Sequence, residues 1–335
     1  MKPARHYIII LLALNALFFI TSLFLGRYSI PADKVWEVIR HPLSYALNEQ
    51  THLAGIVLFQ VRLPRILIAM LVGAGLGITG ASFQGIFRNP LVSPFILGVS
   101  SGGGFGAALA ILLFDDSRMI QIFAFFFGMI AVSITYFIAR LGDRFSTYSL
   151  VLAGVVVGSF FSALISLLKY VADIYTKLPA IVFWLMGSLA SVKTSDMMTT
   201  APVIIICVGM LIALRWRFNI LSLGSDEAKG LGINTMALYG IIITCSTLIA
   251  ASIVAIAGII GWVGLVVPHL CRMIVGADHE RLLPASALMG SAYMLVVDDL
   301  ARIITTQEIP LGIVTAIIGA PFFAYLLKRS QGETL

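Results

Sequence analysis

The chain has 335 residues, of which 59% are hydrophobic and only 11% are charged. This composition excludes an ordinary soluble globular protein and predicts a polytopic membrane protein. The formal net charge is +6, but the basic residues stand singly between apolar runs, which argues against a nucleic-acid-binding protein.

The first predicted helix covers residues 6–26, a charge-free run that follows Lys2 and Arg5. The run is long for the core of a signal peptide, and no small-x-small cleavage site follows it, so we predict a retained membrane helix. Positive residues before the run place the N-terminus on the cytoplasmic side. Residues 27–60 are predicted to form a polar, partly helical segment outside the membrane.

The stretch from Arg62 to Gly104 predicts a hairpin of two membrane helices around which the rest of the chain is organised. Its first arm, residues 66–87, carries no charge and is long enough to span a bilayer, since about 20 helical residues cover ~30 Å of hydrocarbon. Glycines at 73, 77 and 80 predict a smooth face that another helix backbone approaches closely. The polar RNP sequence after this arm is the predicted cytoplasmic corner of the hairpin.

The remainder of the chain predicts seven further spans, with a short amphipathic helix outside the membrane around residues 177–187. Trp184 in that short helix is typical of a membrane interface. The predicted spans are residues 119–139, 145–168, 197–214, a helix and a short helix within 230–271 that are separated by a glycine-rich turn, 285–297 and 309–327. Residues 298–308 are predicted to be an external loop. The predicted fold is therefore all-α, with about ten transmembrane helices in a single transmembrane domain over residues 1–335 and a cytoplasmic C-terminus.

Catalytic motifs are matched only in the wrong context. Residues 75–80 fit GxGxxG, but they lie in the middle of a span, without a preceding strand or an acidic residue about 20 positions later, which favours helix packing over dinucleotide binding. Residues 98–102 fit GxSxG, but none of the five histidines stands in a hydrolase context. No GxxxxGK[ST] sequence occurs, so the chain does not bind ATP through a P-loop. We predict no catalytic residues.

The three cysteines, Cys207, Cys245 and Cys271, stand far apart inside apolar runs. No CxxC occurs, and no histidine or cysteine pair has the spacing of metal ligands. The sequence therefore predicts neither a disulfide framework nor a metal site, and it favours small buried apolar residues at these positions.

A polar segment, NILSLGSDEAKGLG at residues 219–232, separates two predicted spans on the cytoplasmic side. One interpretation is an ordinary solvated loop. The other is a short helix that docks into a cytoplasmic partner, since acidic residues near its start favour the helix dipole and a glycine at its end permits a sharp turn.

Charged residues also cluster at the predicted outer ends of two spans. Arg62 and Arg65 flank a proline, and either extend to the lipid headgroups or form a fork that captures carboxylates of a docking protein. Asp298 and Arg302 stand four residues apart and are placed to pair along one helix face. A local ion pair and a docking role both remain open for these residues.

Five motifs in order along nearly the whole chain resemble the FecCD-type permeases, the membrane subunits of type II ABC importers for ferric siderophores, haem and cobalamin. The matching sequences are RLPRIL, GASFQGIFRNPLVSPFILGVSSG, SDEAKGLG, GWVGLVVPHLCR and EIPLGIVTAIIGAPFFAYLLKR. The resemblance implies a ten-helix fold like that of cobalamin-importer permeases, in the cytoplasmic (inner) membrane. It also implies a second permease subunit, as a homodimer, with two ABC ATPases inside and a substrate-binding protein outside. ATP and Mg²⁺ would be used by the ATPases, and this chain would bind no cofactor itself.

The resemblance also implies roles for individual residues. Arg62, Arg65 and Arg302 match outward arginines that pair with glutamates of the binding protein. The residues that match the motif contacting the ATPase are Asp226, Glu227, Ala228 and Gly232. The residues that match the cytoplasmic gate of the pathway are Asn89, Pro90, Leu91, Val92, Ser146 and Thr147.

Two positions depart from the pattern of the family. The family has Ala-Asp before the last arginine, whereas this chain has Val297-Asp298-Asp299, and the extra carboxylate is expected to weaken or redirect the contact of Arg302. Gly103 replaces the usual alanine, which we interpret as a change in packing.

The implied mechanism is alternating access, in which closure of the ATPases acts through the segment around Glu227 and opens a path between two permease subunits. An ion-coupled secondary transporter is disfavoured because no predicted span has an ionisable residue near its centre. The apolar, small-residue-rich pathway fits permissive passage with selectivity left to the binding protein. We expect a metal chelate as cargo, and molybdate or tungstate, which some family members import, as the alternative.

Overall fold

The computed structural model describes residues 4–42, 49–140 and 147–332, and these ranges are built from α-helices without strands. The helices are α1 Ala4–Phe24, α2 Ala32–Arg40, α3 Glu49–Ile56, α4 Leu63–Ile86, α5 Val99–Leu113, α6 Ser117–Arg140, α7 Thr147–Val171, α8 Lys177–Leu185, α9 Thr194–Ala213, α10 Arg215–Leu223, α11 Ser225–Gly230, α12 Thr235–Ala257, α13 Val263–Val275, α14 His279–Ile303 and α15 Leu311–Gly332. A π-helical segment, Val57–Arg62, joins α3 to α4.

Six stretches are long and apolar enough to cross a membrane by length and composition: most of α1, the continuous helix Thr51–Ile86, and α6, α7, α9 and α12. Three shorter apolar helices, α5, α13 and most of α15, add to these. The tenth candidate is α14, with 25 residues and its charged groups near the two ends. The prediction of about ten spans in an all-α fold is confirmed for the described part of the chain, as is the short helix α8 around Trp184.

Helix α4 forms the centre of the bundle and packs against α9, α12, α13 and α14. Its predicted glycine face makes these contacts. A methyl group at Gly73, Gly77 or Gly80 would lie only 2.0, 2.2 or 1.9 Å from a backbone carbonyl oxygen of the facing helix. Since no side chain fits in such a gap, the glycines set the distance between α4 and the helices α13 and α14.

Gly103 on α5 has a similar packing role. A methyl group added there would lie 2.7 Å from Cγ1 of Val254 on α12 and 3.2 Å from the carbonyl oxygen of Ala124 on α6. The glycine therefore lets α5 approach both helices closely, which supports the interpretation of this departure as a change in packing.

Two predicted boundaries at the predicted outer end are wrong. The span containing α4 does not begin at a polar loop, because the helix runs without interruption through Arg62 and Arg65 from Thr51. Pro64 lies in the first turn of α4, directly after the π-helical segment, where its missing N–H is tolerated. Residues 298–303 are not an external loop either. They continue α14, because their charges are neutralised by neighbouring groups inside the protein.

Candidate functional site

The first candidate surface is formed by α10 and α11, which connect α9 to α12 in the chain. It lies at the predicted cytoplasmic end of the bundle. Helix α10 is attached there through Phe218, which is buried and stacks on the imidazole of His279 with ring centroids 5.7 Å apart. Asn219 makes a second attachment. Its Nδ2 donates to Asp278 Oδ1 at 2.7 Å, and its Oδ1 accepts the backbone N–H of His279 at 2.8 Å. These contacts fix α10 to the start of α14.

Asp278 is the N-cap of α14 and accepts a hydrogen bond from the backbone N–H of Glu280. Burial tends to raise the pKa of the Asp278 carboxyl, but the hydrogen bonds from Asn219 and Glu280 and the charge of Arg281 hold that pKa below its usual value. The carboxylate is therefore charged at neutral pH, as an acceptor at a helix N-terminus requires.

Helix α11 follows α10 and is flanked by two glycines with backbone conformations that other residues rarely adopt: Gly224, its N-cap, has a φ of +150°, and Gly232, just after its C-cap, has a φ of +78°. The structure thus confirms a short helix with a sharp turn at Gly232 in place of a simple solvated loop. Asp226 and Glu227 are exposed on this helix, whereas Ala228 is 0% exposed and packs into the main core. A partner that docks on α11 reaches the two carboxylates but not Ala228.

The second candidate surface is a cavity at the same end, with a volume of ≈ 630 Å³. It brings together three of the predicted gate residues, Asn89, Val92 and Thr147, which come from the loop after α4 and from the start of α7. Leu91 is exposed, and neither Leu91 nor Pro90 lines this cavity. Ser146 lies outside the described residues. Their role in gating stays a prediction.

Arg88 connects these two surfaces, and the sequence indicates no role for it beyond a place at the predicted cytoplasmic corner. Its backbone is left-handed, with a φ of +49°, a conformation that is uncommon for a residue other than glycine. Its Nη2 donates to the carbonyl oxygen of Leu221 at 3.2 Å, near the C-terminus of α10, where basic side chains favour the helix dipole. Arg88 also lines the cavity beside Asn89. The side chain therefore joins α10 to the predicted gate loop.

The third candidate surface holds the three predicted docking arginines at the opposite end of the bundle, and all three are buried. Arg65 Nη2 lies 2.9 Å from Asp298 Oδ1, and Arg65 Nη1 lies 2.9 Å from Glu308 Oε2. Arg302 Nε lies 3.1 Å from Asp298 Oδ2, which confirms the predicted pairing of these two residues along α14. The carboxylates at this end therefore form ion pairs with arginines of their own chain.

Asp299, the extra carboxylate in this chain, completes the charge cluster. It pairs with Arg302 and accepts a hydrogen bond from Ser22 Oγ on α1 at 2.6 Å. Arg62 donates to the carbonyl oxygens of Leu23 and Tyr28. Since each guanidinium already has intrachain partners, a docking partner must displace these contacts or use other groups, and the docking role stays a prediction.

The chain is similar in sequence to known transport proteins along nearly its whole length. The FecCD transport family matches residues 12–329. The molybdate import system permease protein MolB of Haemophilus influenzae is 44% identical over 326 residues, which cover 96% of each chain. The cobalamin import system permease protein BtuC of Halobacterium salinarum is 39% identical over 88% of this chain and 78% of its own length.

A solved structure shows the same fold. It is an inward-facing conformation of an ABC transporter of the metal-chelate type, with 41% sequence identity and a TM-score of 0.86 over 97% of this chain and 99% of that chain. The match extends over the helical bundle, so it includes the segments that hold the three candidate surfaces. The chain is a multi-pass membrane protein that belongs to the FecCD transport family and serves as a permease subunit of an ABC importer.

Proposed function

We propose that two copies of this chain form the translocation path of the importer, with two ABC ATPases bound at α10–α11 and a substrate-binding protein at the opposite end. Both termini then face the cytoplasm. The observation that carries the proposal is the connection at one end of the bundle: α11 presents Asp226 and Glu227, α10 is fixed to α14, and Arg88 joins α10 to a cavity. A displacement of α11 is thereby transmitted through α10 and Arg88 to the loop at the cavity.

The proposed cargo is a metal chelate that a binding protein delivers. Relatives named for cobalamin and hemin import support this class, the latter being HmuU of Yersinia pestis, 35% identical. The cavity also suits a bulky cargo, because most of its lining is apolar or aromatic; Asn89 and Thr147 are neutral polar groups in that lining, and Arg88 is its charged group. A second candidate is molybdate or tungstate, and the 44% identity to a molybdate import permease favours it.

Uptake by the reconstituted importer tests the proposal. Proteoliposomes containing this permease with its ATPase and binding protein are offered labelled ferric siderophore, cobalamin and molybdate side by side, with and without ATP. ATP-dependent entry of a chelate is expected. Uptake of molybdate alone would identify the oxyanion as the cargo and leave the proposed transport mechanism unchanged. Uptake driven by an ion gradient without ATP would contradict that mechanism.

Cross-linking is expected to distinguish the exposed and buried faces of α11. In a background without the three native cysteines, Glu227→Cys should form a cross-link to a cysteine on the docked ATPase, because its side chain is exposed. Ala228→Cys is the matched control and should not react, because that position is buried. The products are separated by non-reducing electrophoresis. A cross-link from position 228 alone, or from neither position, would contradict docking on the exposed face.

Arg88 is expected to determine how efficiently ATP hydrolysis is converted into transport. Arg88→Gly suits the positive φ and removes the contact with Leu221, so the permease should fold while α10 loses its connection to the cavity loop. Transport per ATP hydrolysed should fall about fivefold or more, the effect of losing ~1 kcal/mol of coupling. Arg88→Lys, which keeps a cationic donor, should retain part of the ratio. An unchanged ratio in Arg88→Gly would exclude the connection.

A further inference from the structure

Two exposed arginines mark the predicted cytoplasmic end of α9. Arg215 and Arg217 stand in the first turn of α10, and neither guanidinium has an ion pair or a hydrogen bond within the part of the chain that the structure describes. Other basic side chains at this end bind groups of their own chain, since Arg88 donates to a backbone carbonyl oxygen and Arg272 donates to Gln84 Oε1. Arg215 and Arg217 therefore present two uncompensated positive charges to their surroundings.

These arginines lie at the depth of lipid headgroups. Helix α9 is long and apolar enough to cross a membrane and ends at Ala213, so both arginines follow within about one turn of the end of the span. Trp216 between them is 58% exposed, and tryptophan is the residue typical of the membrane–water interface. The first turn of α10 is thus placed where the protein meets the polar layer of the bilayer.

Arg217 also lines a cavity of ≈ 250 Å³ between α10 and the start of α12. Because α12 is a candidate span as well, the cavity lies between the predicted cytoplasmic ends of two membrane helices. Arg217 is the one charged side chain of the lining, and most of the other lining residues are apolar. Those residues are Gly232, Ile233, Asn234, Ala237, Leu238 and Ile241.

An apolar strip continues from this cavity toward the centre of the membrane. Met210 Sδ on α9 lies 3.3 Å from Cys245 Sγ on α12, so these faces of the two helices are side by side. Ile241 stands one turn before Cys245 and lines the cavity, and Ile206 stands one turn before Met210. Ile206, Met210 and Ile241 form the strip, and they are 64%, 45% and 39% exposed.

We propose that Arg215, Arg217 and this cavity bind the headgroup of an anionic phospholipid, with an acyl chain of that lipid along the strip. Guanidinium groups are well suited to phosphate oxygens, and basic pockets between membrane helices at the cytoplasmic side are typical sites for anionic headgroups. A carboxylate of a docked soluble protein would also neutralise the arginines. Such a protein does not reach the strip, however, because the strip lies within the spans, whereas an acyl chain does.

Quenching of tryptophan fluorescence by brominated lipids tests the site on the full-length permease in vesicles. Trp216 is made the only tryptophan by replacing Trp36, Trp184 and Trp262 with phenylalanine. The vesicles contain phosphatidylglycerol and phosphatidylcholine, and the bromine is carried by one lipid or by the other. Trp216 should contact phosphatidylglycerol in preference to phosphatidylcholine by about fivefold or more, since each arginine near an anionic headgroup contributes a factor of about five.

A reporter at the opposite end gives the baseline for this preference. Trp184 lies in α8, at the predicted outer side, and as the only tryptophan it should show no comparable preference. Native mass spectrometry of the unaltered chain in detergent provides a second measurement that needs no substitution. The unaltered chain should retain phosphatidylglycerol when phosphatidylcholine is present at the same concentration.

Three variants separate a built site from a diffuse charge effect. Arg217→Gln should lower the preference at Trp216 about fivefold. Arg118→Gln, the matched control, changes an exposed arginine at the start of α6 and should leave the preference unchanged. Ala237→Phe occupies the cavity while both arginines remain, and it should lower the preference as Arg217→Gln does, because position 237 lines the cavity and is exposed.

Three results would overturn the proposal. The first is equal quenching of Trp216 by the two brominated lipids, together with equal retention of the two lipids by the unaltered chain. The second is a loss of preference in Arg118→Gln as large as in Arg217→Gln. The third is a full preference in Ala237→Phe, which would show that the arginines attract anionic lipid without a site.

Discussion

Asp298→Asn is expected to destabilise the permease by about 3–5 kcal/mol of unfolding free energy, because it leaves buried arginines without their shared counter-charge. Asp298 is 1% exposed and contacts both Arg65 and Arg302. An amide at this position accepts a hydrogen bond but does not neutralise either guanidinium. The fall is measured as a lower midpoint of unfolding of the purified permease in SDS titrations.

Asp115→Asn is the matched control for this change. Asp115 also pairs with a basic residue, Lys177 at 2.6 Å, but its side chain is 94% exposed. The hydrogen bond from Lys177 and its charge lower the pKa of the Asp115 carboxyl, yet solvent screens an exposed pair, so the midpoint should not change. In the Asp298→Asn background, Arg302→Gln should recover part of the loss, since it removes one unpaired cation. An unchanged midpoint in Asp298→Asn would show that the buried cluster does not stabilise the fold.

Gly80→Ala is expected to destabilise the permease through packing alone. The added methyl group would lie 1.9 Å from the carbonyl oxygen of Gly264, a distance that a rigid backbone does not relieve without moving α13 away from α4. Overpacking of this kind costs ~1–3 kcal/mol or more. Since alanine gains only about 1 kcal/mol over glycine in helix propensity, the clash decides the outcome. The measurement is again the unfolding midpoint, together with the yield of folded protein.

Gly209→Ala tests whether the position or the residue type matters. Gly209 lies within α9, and a methyl group added there would have no atom within 4 Å. This substitution should leave the midpoint unchanged or raise it, because alanine in place of glycine stabilises a helix by up to about 1 kcal/mol. If Gly80→Ala and Gly209→Ala behaved alike, close approach at the glycine face of α4 would not be the reason for its glycines.

The sequence by itself determined the features that depend on local patterns. Apolar runs have the length of a membrane span, so the number of spans and the short helix α8 follow from composition along the chain. The spacing of Gly73, Gly77 and Gly80 on one helix face likewise predicts a close helix contact, because helical periodicity is local. The motif around Glu227 predicts a short helix that is followed by a turn at Gly232 for the same reason.

Only the tertiary structure decided which distant groups meet. Arg65 and Asp298 are far apart in the chain, and they pair inside the protein at a point where α14 continues and where the charges alone suggested a loop. The burial of Ala228 and the contact of Arg88 with Leu221 depend in the same way on how α10 and α11 pack against the bundle.

The contact between the Sγ of Cys245 and the Sδ of Met210, which lie 3.3 Å apart, shows the same limit most clearly. These two residues stand 35 positions apart in the chain, and they become neighbours only because α9 packs against α12. A sequence records the period of each helix, but the rotation and separation of two packed helices depend on every side chain between them. Contacts between distant helices are therefore decided by packing, and the spans themselves by local hydrophobicity.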